Sequence, residues 1–212
     1  MEMAPTRYPA WSIMIRSRFG TLRGLVRLIL SYPQYGLGLS QIRAVDPVRV
    51  RRLVFLCQGN ICRSAFADVA ARRAGLNVAS YGLSTDDGRA AHGPAIDAAR
   101  MMGHDLSAHR ARDIGGYAPM EGDLILAMEV RQLHRLAADP RLAPVPRTLL
   151  GLWARPAMPH LHDPYGLDDR YMTYCLQRIE RAVEGLVTDF PGAMLSSPSA
   201  SDRAVRGEGP TG

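Results

Sequence analysis

The sequence predicts an α/β fold, a four-stranded parallel sheet with helices on both faces and a phosphate-binding loop after the first strand. Two observations carry this. Short apolar runs alternate with helical segments from residue 53 onward, the pattern of a sheet covered on both sides with its active groups at the strands' carboxyl ends. The first of these runs ends in a cysteine, and a loop of six residues carries the chain from it into a helix.

The elements follow in order. Leu53 to Cys57 is a strand, and Ala65 to Ala74 reads as a helix closed by Gly75. Val78 to Tyr81 is a second strand. Pro94 to Met102 is a helix with proline in its first turn and Gly103 just past its end. Asp123 to Met128 reads as a buried strand, Glu129 to Ala138 as a helix and Val145 to Leu150 as the fourth strand. A proline-bearing loop, Leu152 to Pro164, leads to a closing helix over Leu167 to Phe190. Residues 191–212, rich in Ser, Gly and Pro, read as a disordered tail.

Residues 1–52 precede this domain (53–190) as a basic extension. Phe19 to Leu30 places Leu22, Leu25, Val26, Ile29 and Leu30 at helical spacing, with Arg23 and Arg27 four apart, and Tyr32-Pro33 is expected to stop that helix. Gly36 to Val48 reads as linker. The arginines interrupt the apolar run too often for a membrane span, and no secretory signal is legible. Peripheral contact with an anionic membrane, or with a membrane-bound partner, through residues 16–30 is one expectation; packing on the protein's own surface is the other.

The net charge of +6 in 212 residues looks at first like a nucleic-acid signal, but it is localised. Residues 1–52 hold nine arginines against Glu2 and Asp46, whereas the remaining residues hold seventeen against eighteen acids, so no nucleic-acid partner is expected. All basic residues are arginine, which reads as compositional bias. Three cysteines make no disulfide framework, and a working thiolate requires a reducing, hence cytoplasmic, setting.

The chemistry lies in Cys57-Gln58-Gly59-Asn60-Ile61-Cys62-Arg63-Ser64. A strand-to-helix loop turns backbone N–H groups inward at the positive end of a helix dipole, which makes an anion site. That field also stabilises an anionic sulfur, the nucleophilic form of Cys57. Gly59 permits close backbone approach or positive φ, and Asn60 can tie loop groups together. Arg63 offers a planar fork for two phosphate oxygens, and Ser64 a hydroxyl for the sulfur.

With Asp163-Pro164-Tyr165 downstream, the chain resembles the low-molecular-weight protein tyrosine phosphatase family, and specifically its bacterial exopolysaccharide- and capsule-associated type. The resemblance covers residues 53 to about 190. It implies a Cys57 nucleophile, phosphate bound by Arg63 and the loop, Asp163 as general acid, Tyr165 as a wall for the substrate ring, and no metal or cofactor. Cys62 is then either a redox partner for Cys57 or simply buried, and Cys175 is core. Ala65 stands where the family usually has proline, Tyr81 where it has alanine, and residues 82–92 lack the tryptophan of eukaryotic-type members. The implied substrate is a phosphotyrosyl protein, such as a bacterial tyrosine kinase or a polysaccharide-export protein.

Arsenate reduction would need two further relay cysteines, and only Cys175 remains. Phosphoarginine hydrolysis goes in this family with threonine at the position of Ile61, and a non-catalytic phosphotyrosine-binding role would not require Cys57, Arg63 and Asp163 together. His104, His109 and His162 show no metal-ligand spacing.

Overall fold

The computed structural model describes residues 10–195. Its sheet is parallel throughout, in the order β2 (Val78–Gly82), β1 (Arg52–Cys57), β3 (Asp123–Ala127), β4 (Arg147–Leu149). The central strand β1 therefore delivers Cys57 to the middle of the sheet's carboxyl edge. Alternate residues of β1 and β3 serve two cores. Leu53, Phe55, Leu124 and Leu126 face helices α3 (Arg63–Arg73), α4 (Gly93–Met101) and α6 (Asp169–Asp189). Val54, Leu56, Ile125 and Ala127 face α5 (Val130–Ala138) through Leu133 and Leu136. A bidentate pair from Arg52 to Asp123, both bonds at 2.7 Å, ties β1 to β3 at their amino ends.

Strand and helix positions agree with the sequence reading to within a few residues, but three expectations need correction. The extension is not one short helix followed by linker. It forms α1 (Ala10–Phe19) and α2 (Leu22–Gly36), and Pro33 lies inside α2, because the last turn is completed by Leu37 N–H donating to the Pro33 carbonyl. The segment after it is pinned: Arg43 and Arg147 exchange two backbone hydrogen bonds beside β4, at 2.9 and 3.1 Å.

The third correction concerns the tail. Its first residues pack, with Ala193 buried and Leu195 N–H donating to the Gly75 carbonyl. Residues 196–212, expected to be disordered, lie outside the described residues.

The extension meets the body with an unexpected face. α2 buries Gly24, Leu28 and Ser31, while Leu22, Val26, Ile29 and Leu30 are exposed. Among the described residues no helix is long and apolar enough to cross a membrane.

Candidate active site

The loop between β1 and α3 is organised around two side chains. Cys57 Sγ accepts from the Asn60 backbone N–H at 3.2 Å and lies 3.0 Å from Ser64 Oγ. Asn60 Nδ2 donates to Ser64 Oγ at 2.8 Å, and the hydroxyl also reaches the Tyr81 carbonyl at 3.4 Å. Asn60 Oδ1 accepts from Arg112 N–H at 2.9 Å, and the Asn60 carbonyl lies 2.8 Å from His109 Nε2. Of the two roles open to Gly59, the positive φ is taken by Asn60, at 50°. Asparagine visits this region more readily than other side-chain-bearing residues. The close approach is made by Gly82, where a Cβ would come within 3.0 Å of the Gly59 backbone.

Arg63 opens α3 and is 1% exposed. Its Nη1 donates to Glu129 Oε1 at 2.6 Å and to the Leu161 carbonyl at 2.9 Å, and its Nη2 pairs with Asp163 Oδ2 at 2.6 Å. Glu129, fully buried at the carboxyl end of β3, also holds Arg131 at 2.6 Å and faces His160 at 3.9 Å. Burial would push the Glu129 carboxyl up; the Arg63 charge and the Arg131 hydrogen bonds outweigh it and bring the pKa down to about 2. The pair therefore remains ionised, and the guanidinium is fixed before any phosphate arrives.

Cys57, Gln58, Gly59, Ile61, Cys62, Arg63, Asp163 and Tyr165 line one cavity of about 200 Å³, together with Ser84 and Arg89. Tyr165, 52% exposed, forms its rim, with its ring 4.8 Å from that of His92. Asn60 and Ser64 sit beneath the floor. All three cysteines are free thiols. Burial, followed by the neighbouring Cys57 charge, pushes the Cys62 thiol well up, so it stays protonated. Cys175 is buried in α6, as expected of a core residue.

Sequence reasoning missed Glu129, reading it only as the start of a helix. Its place just past a strand's carboxyl end, where active groups gather in such sheets, was the available signal.

A family model described as "Low molecular weight phosphotyrosine protein phosphatase" matches residues 52–195. A Ralstonia solanacearum protein named as a probable low molecular weight protein-tyrosine-phosphatase, EpsP, is 34% identical over 91 residues, 42% of this chain and 63% of that protein. The chain thus spans less than two thirds of that relative's length. The Escherichia coli K12 phosphatase Wzb is 36% identical over 118 residues, covering 53% of this chain and 77% of Wzb. Among solved structures, Wzb from E. coli K30 with sulphate superposes with a TM-score of 0.56 at 26% identity, covering 64% of this chain and 94% of that one. The Erwinia amylovora tyrosine phosphatase AmsI gives 0.60 at 24% identity, over 69% and 97%. The chain belongs to the low molecular weight phosphotyrosine protein phosphatase family.

Proposed function

We propose that the protein hydrolyses phosphotyrosine through a cysteinyl-phosphate intermediate. The observation that carries this reading is the convergence of Cys57, Arg63 and Asp163 on one small cavity. A phosphoryl group entering it takes the Nη2 edge of Arg63 from Asp163, while Glu129 keeps hold of Nη1. The Cys57 sulfur attacks phosphorus as the bond to the phenolic oxygen breaks, and Asp163 gives that oxygen its proton. Water then attacks the phosphocysteine, its proton passes to Asp163, and the thiolate leaves. Arg63 and loop N–H groups stabilise the equatorial oxygens throughout.

Tyr165 offers a face for a substrate ring, and Ile61 in the floor supports an aryl ester over phosphoarginine. The physiological substrate in this reading is a tyrosine-phosphorylated protein of polysaccharide export or its kinase. Cys62 is the protective partner of Cys57: a peroxide converts the Cys57 thiolate to a sulfenic acid, and the Cys62 thiol condenses with it, releasing water. The outward apolar stripe of α2, bordered by the exposed Arg23 and Arg27, supports peripheral contact with an anionic membrane.

The deciding assay is release of inorganic phosphate by the purified chain from phosphotyrosyl and phosphoarginyl peptides. Turnover of the first alone supports the reading; turnover of the second alone overturns it.

A further inference from the structure

The general acid sits on a segment that the sheet does not hold. Between Met158 and Asp163, backbone hydrogen bonds are few: Leu161 N–H donates to the Met128 carbonyl at 2.9 Å, and the Leu161 carbonyl receives Arg63. The next residue, His162, is placed by side chains, and one of them comes from outside the family domain. Thr21, the N-cap of α2, brings its Oγ1 to 3.2 Å from His162 Nε2 while accepting from Gly24 N–H at 2.9 Å. The inner face of α2 is bare where it meets the imidazole. A Cβ on Gly24 would come within 2.8 Å of the ring, and one on Gly20 within 2.9 Å of it and 2.7 Å of Tyr171.

From the other side, Tyr171 Oη donates to the His162 carbonyl at 3.2 Å, and the His160 ring stacks on that of His162 at 5.7 Å. Further along the same segment, Tyr32 Oη donates to the Ala157 carbonyl at 2.8 Å. The extension thus grips the approach to Asp163 at two points five residues apart.

We propose that residues 20–32 are a built-in strap that positions the general acid, with Thr21 and His162 as positioning residues for Asp163. The proposal rests on the phosphatase reading and adds to it a part that the family-matched region, residues 52–195, does not contain. Its physical basis is that proton transfer demands hydrogen-bond geometry at the leaving oxygen, and that an error of about 1 Å in a reacting group can cost on the order of 10²-fold. Attack by sulfur depends less on this geometry, because Cys57 is held within the loop and Glu129 keeps Arg63 in place beside its contact with the Leu161 carbonyl. A loosened strap therefore weighs most on the steps in which Asp163 moves a proton, and in phosphoenzyme formation on substrates whose leaving oxygen needs one.

The test uses leaving-group dependence in the full-length chain. Phosphoenzyme formation is measured in single turnovers with a phosphotyrosyl peptide, whose phenolate leaves poorly, and with p-nitrophenyl phosphate, whose phenolate leaves well. Asp163→Asn defines the signature, a loss of about 10²–10⁴ on the first substrate and a smaller one on the second. Thr21→Val should give the same split at lower amplitude, on the order of tenfold against little change. His162→Leu, which leaves the α2 cap intact, should match it, and the double variant should be no worse than either single one. Thr21→Ser, which keeps the hydroxyl, should restore the peptide rate.

Equal losses on both substrates, or a split in Thr21→Val that His162→Leu lacks, would overturn the positioning role while leaving the phosphatase reading in place. Absence of the split in Asp163→Asn itself would overturn both.

Discussion

Two helices that follow glycine- and polar-rich turns behave in opposite ways. α3, which opens the catalytic loop, buries eight of its eleven residues, charged Arg63 and Asp68 among them, although its sequence is not especially apolar. α2 in the extension has a clear apolar stripe and buries three of its fifteen residues, of which Gly24 and Ser31 are small. Burial in this protein therefore follows what each helix must deliver rather than how hydrophobic it is. α3 has to bring a guanidinium into the sheet's carboxyl edge and is surrounded by partners for it. α2 approaches the body through glycine and hydroxyl contacts and leaves Leu22, 62% exposed, and Ile29, 58% exposed, facing away.

The largest expected effect lies on the α3 side of this contrast. Cys57→Ser should abolish aryl phosphate hydrolysis with an unchanged fold, since a hydroxyl lacks the nucleophilicity of a thiolate. Arg63→Lys should fail almost as completely, because a point charge cannot serve Glu129 and two phosphate oxygens in one plane. Steady-state assays with circular dichroism as a fold control check both, and near-normal rates in either would place the phosphate site elsewhere.

Glu129→Gln tests whether the buried acid is what makes a buried arginine tolerable. Removing one partner of a buried pair costs about 3–5 kcal/mol, so urea denaturation should show a loss of that order together with weaker phosphate inhibition. A stable variant with normal inhibition would mean that Arg63 is held by its carbonyl and Asp163 contacts alone.

A smaller effect concerns pH. Burial, helped by the charges of His162 and Arg63 and opposed by the pull of Glu129, brings the His160 pKa down from 6.5 to about 4. Between these values the unfolded chain binds a proton that the folded chain refuses, so stability is complete above pH 6.5 and falls as pH drops toward 4. At about 1.4 kcal/mol per pH unit the interval caps this at about 3.5 kcal/mol. Burial pushes His109 and His162 down in the same direction, so the informative quantity is the difference between wild type and His160→Gln in denaturation midpoints from pH 7 to 4. Parallel curves would remove His160 from the explanation.

The smallest effect on the enzyme itself should come from the outward stripe. Leu22→Ser with Ile29→Ser should leave stability and hydrolysis nearly unchanged, as exposed positions do, while reducing co-sedimentation with anionic vesicles at low salt. Basic residues near an anionic leaflet contribute on the order of 1 kcal/mol each, so wild-type binding should also weaken with salt. Equal sedimentation of variant and wild type would refute membrane contact through α2.

The contrast also explains what could be read from the chain. Cys57 to Ser64 were legible because their chemistry demands particular residue types at fixed offsets, Asp163 only through the family resemblance, and the strands because short apolar runs leave few alternatives. The direction of α2 was not legible, since periodicity marks a stripe without saying whether protein or solvent lies against it. Glu129 was hidden by its ordinary capping role, which it does play, through a reciprocal arrangement with Gln132. The exchange of roles between Gly59 and Asn60 turned on Arg112 and His109, some fifty residues away, which no local rule reaches. Met194 and Leu195 pack against the chain around Gly75 for the same long-range reason.

The most direct test of the account is to trap the intermediate. Full-length enzyme mixed with a phosphotyrosyl peptide carrying radiolabelled phosphate is quenched in acid within the first turnover and digested, and the label is located. The account predicts one labelled peptide, containing Cys57 and carrying a phosphothioester, formed no slower than turnover and absent from Cys57→Ser. Phosphate release at the full rate with no label on the protein, or label on any residue other than Cys57, would contradict it.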